Sequence, residues 1–254
     1  MSKQSFRLLH ITDPHLHAHV DSRMRGVNTY DTFRAVITHS MGESSSPDAI
    51  IATGDLVQDE TKTGYKRFRE VLEYYQLPVY CIPGNHDSPE TMAEVLNKPP
   101  FQVGGSAQLG DWSLILLNSF SSGDDGGRLS TKELARLRKA LAANESSHAM
   151  IFIHHHPVSM GSRWLDGVGL RNSYDFFDIV EQSSQVRGIV WGHVHQASDR
   201  RRKGVRLMST PSTCSQFLPN SDDFALDTRL PGYRWLELRS NGTIDTQVVW
   251  LEKI

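Results

Sequence analysis

Five short apolar runs in this chain each end on a side chain that can carry charge or bind a metal. Arg7-Leu8-Leu9-His10-Ile11-Thr12 leads into Asp13-Pro14-His15, and Ile50-Ile51-Ala52-Thr53-Gly54 into Asp55. Pro78-Val79-Tyr80-Cys81-Ile82 leads into Pro83-Gly84-Asn85-His86-Asp87. Met150-Ile151-Phe152-Ile153 leads into His154-His155-His156-Pro157, and Arg187-Gly188-Ile189-Val190-Trp191 into Gly192-His193-Val194-His195. A short run that is apolar at nearly every position reads as a strand buried on both faces, the kind found in parallel sheets covered by helices. Open α/β sheets place their chemistry at the carboxyl ends of such strands. Five ends of this type point to one shared site.

The stretches between them have helical spacing. Phe33, Val36 and Ile37 predict a helix over 30–41, and Phe68, Val71, Leu72 and Tyr75 one over 63–75. Ser130 with Glu133 forms a capping box that opens a helix to about Ala143, and another is expected over 174–181. Strand, helix, strand in alternation argues for a parallel sheet with helical crossovers. Further strands are expected over 112–117, 205–208, 233–238 and 247–251, the last two joined by an Asn241-Gly242 hairpin. Ser44 to Pro47 breaks the chain before the second strand, and Leu16 to Asn28, Ser121 to Gly127 and Val158 to Asn172 read as loops. Pro14 is expected to hold Asp13 extended, which puts Asp13 and His15 on one face; the same holds for His193 and His195 on their strand.

At 254 residues the chain is expected to form one domain, 1–254. A net charge of −2 gives no electrostatic reason for a nucleic-acid or membrane-surface partner. Arg200-Arg201-Arg202-Lys203-Gly204, the one basic run, reads as a solvated turn between strands. No apolar segment has the length of a signal peptide or membrane span. Cys81 and Cys214, far apart and in unlike contexts, suit a reducing compartment, so cytoplasm is the expected location. Nothing in the composition fixes an oligomeric state.

Together the strand ends present Asp13, His15, Asp55, Asn85, His86, His154, His193 and His195. Imidazole, carboxylate and amide oxygen without thiolate favour Fe, Mn, Zn or Co over soft metals, and the set is too rich in nitrogen for Ca or Mg. Seven ligands are too many for one catalytic ion, which keeps positions open for water. They suit two ions sharing a carboxylate, roughly 3.5–4 Å apart, an arrangement built for in-line attack on phosphorus. Any one piece could be a helix cap or a turn; five in one chain, each closing an apolar strand, are not explained that way.

The blocks Asp13-x-His15, Gly54-Asp55-x-x-x-Asp59, Gly84-Asn85-His86-Asp87, His154-His155-x-Pro157 and Gly192-His193-x-His195 resemble the five motifs of the calcineurin-like metallophosphoesterases. The resemblance implies an α/β fold of four layers, an αββα sandwich of mixed sheets with a dinuclear site at the strand ends. Arg25-Gly26-Val27-Asn28-Thr29, Trp164-Leu165-Asp166, Leu170-Arg171-Asn172 and Thr210 to Phe217 are similar to stretches of the bacterial class III cyclic nucleotide phosphodiesterases. Lying outside the metal blocks, they bear on substrate. Carried over, the resemblance implies one ion held by Asp13, His15, Asp55 and His195, and a second by Asp55, Asn85, His154 and His193. The ions would be Fe²⁺ or Mn²⁺, with Zn²⁺ and Co²⁺ as alternatives. A hydroxide bridging them would hydrolyse 3′,5′-cyclic AMP to 5′-AMP, with His86 assisting the leaving oxygen. The substrate-contacting residues implied are His15, Asp55, Asn85, His86, His154 and His195.

Of the three consecutive histidines, either His154 or His155 could be the ligand; the family pattern, with the ligand directly after the strand, selects His154, and leaves His156 a loop or substrate-facing residue. Asp59 and Asp87 are expected to orient loops or ligands, and Trp164 is placed to stack on a base. His10, His39 and His148 fall inside expected elements as packed or surface residues. The rivals are another phosphodiester or phosphomonoester substrate, which the metal blocks do not separate from cyclic AMP, and a non-catalytic scaffold. The intact ligand set and retained His86 disfavour the scaffold.

Overall fold

The computed structural model describes residues 5–43, 46–143 and 145–253. Strand β1 (Ser5–Ile11) is followed by a small hairpin, β2 (Arg23–Met24) and β3 (Val27–Asn28), then helix α1 (Thr29–Met41) and strand β4 (Ala49–Ala52). Next come α2 (Lys62–Glu73), β5 (Val79–Cys81), α3 (Pro89–Leu96), β6 (Phe101–Val103), β7 (Gly105–Leu109) and β8 (Trp112–Leu116). The middle of the chain supplies α4 (Thr131–Ala143), β9 (His148–Ile153), the single turn α5 (Arg163–Asp166), α6 (Ser173–Glu181) and β10 (Val186–Trp191). The last part is all strand: β11 (Ser198–Arg202), β12 (Val205–Ser209), a second small hairpin of β13 (Gln216–Phe217) and β14 (Leu226–Asp227), β15 (Gly232–Arg239) and β16 (Ile244–Trp250).

These strands build two sheets, in the orders β16-β15-β1-β4-β5-β6 and β11-β12-β10-β9-β8-β7. Each has four parallel strands at its heart, β1-β4-β5-β6 in one and β12-β10-β9-β8 in the other. Antiparallel strands flank them: β15 and β16 in the first sheet, β7 and β11 in the second.

Side-chain parity explains why the sheets stack. Along β1 and β4, Leu9, Ile11, Ile50 and Ala52 point outward onto α1, α2 and α3, while Leu8, Ala49 and Ile51 point inward at the other sheet. On the second sheet Ile151, Ile153, Ile189 and Trp191 face α4 and α6, and Met150, Phe152 and Val190 face inward. A strand apolar at every position therefore has two dry faces to fill, and the four layers follow: helix, sheet, sheet, helix. His10 shares the inward parity of Leu8. It is fully buried, bonded to Thr210 and Thr53. Phe152 is fully buried in the layer between the sheets. Phe152→Ala is expected to cost about 3–5 kcal/mol of stability, read as a lower urea midpoint; a loss under about 1 kcal/mol would mean the sheets do not pack closely there.

The expected elements are found, with differences that have physical reasons. Helix α3 and strands β6 and β7 lie where periodicity gave no reading, because eight, three and five residues are too short to show a period. Ser88 caps α3 by accepting from Thr91 N, with Pro89 at the first helical position. The capping box on α4 is half formed. Ser130 Oγ accepts from Glu133 N, but the Glu133 carboxylate turns to Asn118 N and Arg136. The basic run is not a turn: Arg200, Arg201 and Arg202 lie on β11, where charged side chains protect an exposed sheet edge, and only Lys203 and Gly204 turn the chain. The loop over 16–28 contains the β2-β3 hairpin, and that over 158–172 contains α5. Ser44 and Ser45 of the expected breaker lie outside the described residues.

Candidate metal centre

The five strand ends converge at one edge of the sandwich. Three rings turn the same nitrogen inward because a neighbour occupies the other. His154 Nδ1 is 2.6 Å from the Thr53 carbonyl, His195 Nδ1 is 2.7 Å from the Ser215 carbonyl, and His15 Nδ1 is 2.8 Å from Gln58 Oε1. Each Nδ1–H donates there, so each Nε2 keeps a lone pair for the centre. His193 is turned the other way, with Nδ1 2.9 Å from Asn85 Oδ1 and 3.2 Å from His154 Nε2.

The result is two clusters. Asp13, His15 and His195 form one: His195 Nε2 is 3.4 Å from Asp13 Oδ1 and 3.2 Å from His15 Nε2. Asn85, His154 and His193 form the other, with His154 Nε2 3.1 Å from Asn85 Oδ1. Asp55 reaches both, at 3.4 Å from His154 and 3.8 Å from His15. Lone pairs facing one another at such distances repel unless a cation lies between them, so the donor set fits metal. The charge balance agrees. Burial works against a charged imidazole, yet the Asp55 and Asp13 carboxylates push His154 up to about 9, so a proton competes with a metal ion for its Nε2 lone pair. Burial would raise the Asp55 and Asp13 carboxyls; His154 holds the first well below the usual range, and His195 holds the second below it. Two buried carboxylates are collecting positive charge. His15, by burial first, is held down at about 3 and stays a neutral donor.

Backbone conformation corrects one expectation. Asp13 and His15 are not extended; their φ values are 53° and 47°. Asp55 at 49°, His193 at 65° and His195 at 47° are left-handed too, so neither His-containing pair is aligned by strand geometry. Asp and His tolerate this region better than most residues, at a cost of order 1–3 kcal/mol each. Hydrogen bonds between loops hold it: Asp13 N donates to Gly54 O, His15 N to Asp55 O, and His193 N to the Asp13 carboxylate. Close approach sets the glycines. A Cβ on Gly84 would run into Asp55 and His154, and one on Gly192 into Thr12 and Asp13.

Of the three consecutive histidines, His154 enters the cluster. His155 lies nearby, but both its nitrogens are engaged, Nδ1 with Ser119 Oγ at 2.8 Å and Nε2 with the Asp125 carbonyl at 3.2 Å. His156 lies in the loop after β9, buried, 3.8 Å from Asp166, and lines a separate cavity with Pro157 and Gly169 rather than the main cleft. Asp87 accepts from Gly84 N, Leu56 N, Val57 N and Tyr65, tying two of the loops together; burial and Asp55 push it up to about 7. Asp59 accepts from Ala18 N and Thr61.

The centre opens into a cleft of about 560 Å³. His15, Asp55, Asn85, His86, His193 and His195 line its floor, whereas His154 is fully buried beneath it. Trp164, Arg25 and Phe217 line its walls. Asp166, Arg171 and Asn172 do not. They pin loops, through Met160 N, Asp124 and the Leu129 backbone respectively. Ser212 likewise donates to the Asp13 carbonyl. Gln58 was not singled out in the sequence, yet it touches two functional candidates: its oxygen accepts from His15 and its Nε2 donates to His86 Nδ1 at 3.1 Å. Its place three residues after Asp55 in the Gly54 block was the available signal. Phe224, also on the cleft wall, had none beyond being an aromatic among Ser and Asp.

Residues 6–197 match the calcineurin-like phosphoesterase family. The chain is 43% identical over 249 residues to a 3′,5′-cyclic adenosine monophosphate phosphodiesterase of Vibrio vulnificus, covering 98% of this chain and 91% of the relative. It is 37% identical over 243 residues to the protein of the same name from Escherichia coli strain K12, covering 95% and 88%. Among solved structures it resembles a dimetal phosphatase from Danio rerio, with a TM-score of 0.68 and 14% identity over 96% of this chain and 98% of that one, a likeness of fold.

Proposed function

We propose, from the premise that the chain belongs to the calcineurin-like phosphoesterase family, that it hydrolyses 3′,5′-cyclic AMP to 5′-AMP with two divalent metal ions. The observation that carries this reading is the position of Asp55, between two nitrogen-rich clusters on the floor of an open cleft. The similarity to cyclic AMP phosphodiesterases supports the choice of substrate.

Asp13, His15 and His195 would hold one ion, Asn85, His154 and His193 the other, with Asp55 shared. Iron(II) or manganese(II) suits this nitrogen and oxygen set, with zinc and cobalt as substitutes. When bound, the pair supplies a water of lowered pKa and positive charge beside the phosphoryl oxygens. The remaining work belongs to side chains. Water oxygen bonds to phosphorus as the P–O3′ bond breaks, and O3′ needs a proton. Gln58 Nε2 lies 3.1 Å from His86 Nδ1 and holds the ring on the floor of the cleft. The imidazolium form of His86 gives a ring proton to O3′ and is left as neutral imidazole. The His86 backbone N–H donates to Asp55 Oδ1 at 2.9 Å, which fixes the acid relative to the shared carboxylate.

Gln58→Leu removes the partner of both His15 and His86, and is expected to lower kcat about 10–100-fold at unchanged fold, measured by steady-state kinetics beside circular dichroism. A kcat within twofold of wild type would separate Gln58 from the mechanism.

No helix among the described residues is long and apolar enough to cross a membrane. We place the protein in the cytoplasm, where the buried thiols Cys81 and Cys214 stay reduced. The deciding experiment is turnover by metal-stripped protein reconstituted with Mn²⁺ or Fe²⁺, offered cyclic AMP and bis(4-nitrophenyl) phosphate. Metal-dependent release of 5′-AMP is expected. Cleavage of the artificial diester alone would keep the metal chemistry and discard the cyclic nucleotide.

A further inference from the structure

One wall of the cleft is aromatic, and it starts on the metal centre itself. Phe217 lies flat on the His195 ring, with 4.1 Å between centroids and 5° between planes. Trp164 meets Phe217 edge to face at 5.3 Å and Phe224 at 5.2 Å, and the two phenyl rings meet at 5.3 Å. The rings come from separate elements: Trp164 from α5, the others from the β13-β14 hairpin and the segment joining its strands. The β2-β3 hairpin lays the Arg25 guanidinium directly on the Phe224 ring, 4.5 Å from its centroid, so this arginine covers one face of that ring at the cleft wall.

This cluster is poorly explained as packing alone. Phe224 is 41% exposed, and Leu218 and Leu226 on the same hairpin are 42% and 43% exposed. An apolar patch left open beside a charged centre marks a surface that is covered when something binds. The Trp164 indole N–H is buried and makes no hydrogen bond among the described residues; the ring is held by apolar packing against the core of the second sheet and by its edge contacts with the two phenyl rings.

We propose that Trp164 and Phe224, beside Arg25, form the base site of this cleft, where the purine of the cyclic nucleotide lies while its phosphate sits on the metal centre. The proposal rests on cyclic AMP as substrate and adds what holds the base. In a cyclic nucleotide one sugar ring separates phosphorus from base. A wall that begins on His195 and runs outward through Phe217 to Trp164 and Phe224 follows that path. Aromatic rings recognise a base by its face, which every purine offers, and an arginine beside them adds cation–π attraction.

The test compares cyclic AMP with an abasic analogue, ribose 3′,5′-cyclic phosphate, in wild type, Trp164→Ala, Phe224→Ala and Trp164→Phe. The ratio of kcat/KM for cyclic AMP to that for the abasic analogue is expected to fall about 5- to 150-fold in each alanine variant, mainly through KM, the range for loss of one base–aromatic stack. Trp164→Phe is expected to retain most of the ratio. Phe224→Ala is an exposed change that keeps the test valid if Trp164→Ala fails to fold. Binding is read separately: 5′-AMP should quench tryptophan fluorescence in wild type, and that quench should vanish in Trp164→Phe. Parallel losses on both substrates, an unchanged ratio, or a quench that survives Trp164→Phe would overturn the base site while leaving cyclic AMP as substrate. A wild type that cleaves other phosphodiesters but not cyclic AMP would overturn the substrate reading, and the base site with it.

Discussion

Asp55→Ala protein is expected to retain neither ion and to lose phosphodiesterase activity. Its side chain is 3% exposed and stands between the two clusters, 3.4 Å from His154 and 3.8 Å from His15, and it also accepts the His86 backbone N–H. Only one other carboxylate, Asp13, belongs to the proposed ligand set. Without Asp55, two dications would share a single negative side chain in a buried site. Breaking one partner out of a buried charge pair costs about 3–5 kcal/mol. That converts to two to nearly four orders of magnitude in affinity, at about 1.4 kcal/mol for each tenfold. Metal content after desalting, beside kcat/KM, is the measurement. Two ions retained per chain would remove Asp55 from its bridging role. Asp55→Asn, which keeps shape without charge, separates the electrostatic loss from a packing loss.

His86→Ala is expected to do the opposite: keep both ions and lose kcat, by the 10²–10⁴-fold typical of a general acid. The geometry behind this is that the His86 ring is half-buried on the cleft floor, and its Nδ1 is committed to Gln58 rather than to the cluster. The loss should depend on the leaving group. The 3′ alkoxide of cyclic AMP needs a proton, whereas nitrophenolate leaves readily without one. The variant should therefore be much less impaired on bis(4-nitrophenyl) phosphate. Equal losses on the two substrates, or departure of a metal, would show that His86 acts through the centre and not on the leaving oxygen.

Much of this was legible in the chain. The period-2 parity of Leu8, Leu9, His10 and Ile11 already sorts them between two dry faces, because a strand must alternate its side chains. The proposed ligands Asp13, His15, Asp55, Asn85, His154, His193 and His195 each follow an apolar run, and the ends of those runs are where they come together.

Other features depended on residues distant in sequence. His154 and His155 are adjacent and alike, yet one ring turns to the cluster because Thr53, 101 residues away, takes its Nδ1, and the other is held aside by Ser119, 36 residues away. The left-handed turns at Asp13 and His15 defeat the reading from Pro14 because bonds from Gly54 and Asp55 outweigh a local preference. Gln58 gains its role only by lying between two rings that other loops deliver. Phe224 meets Trp164 only once two hairpins and α5 are folded around the cleft. Residue type and strand period are local properties, and a single sequence carries them. Which nitrogen faces inward, which turn is strained and which ring meets which are set by contacts between segments far apart in the chain, and those exist only in the folded protein.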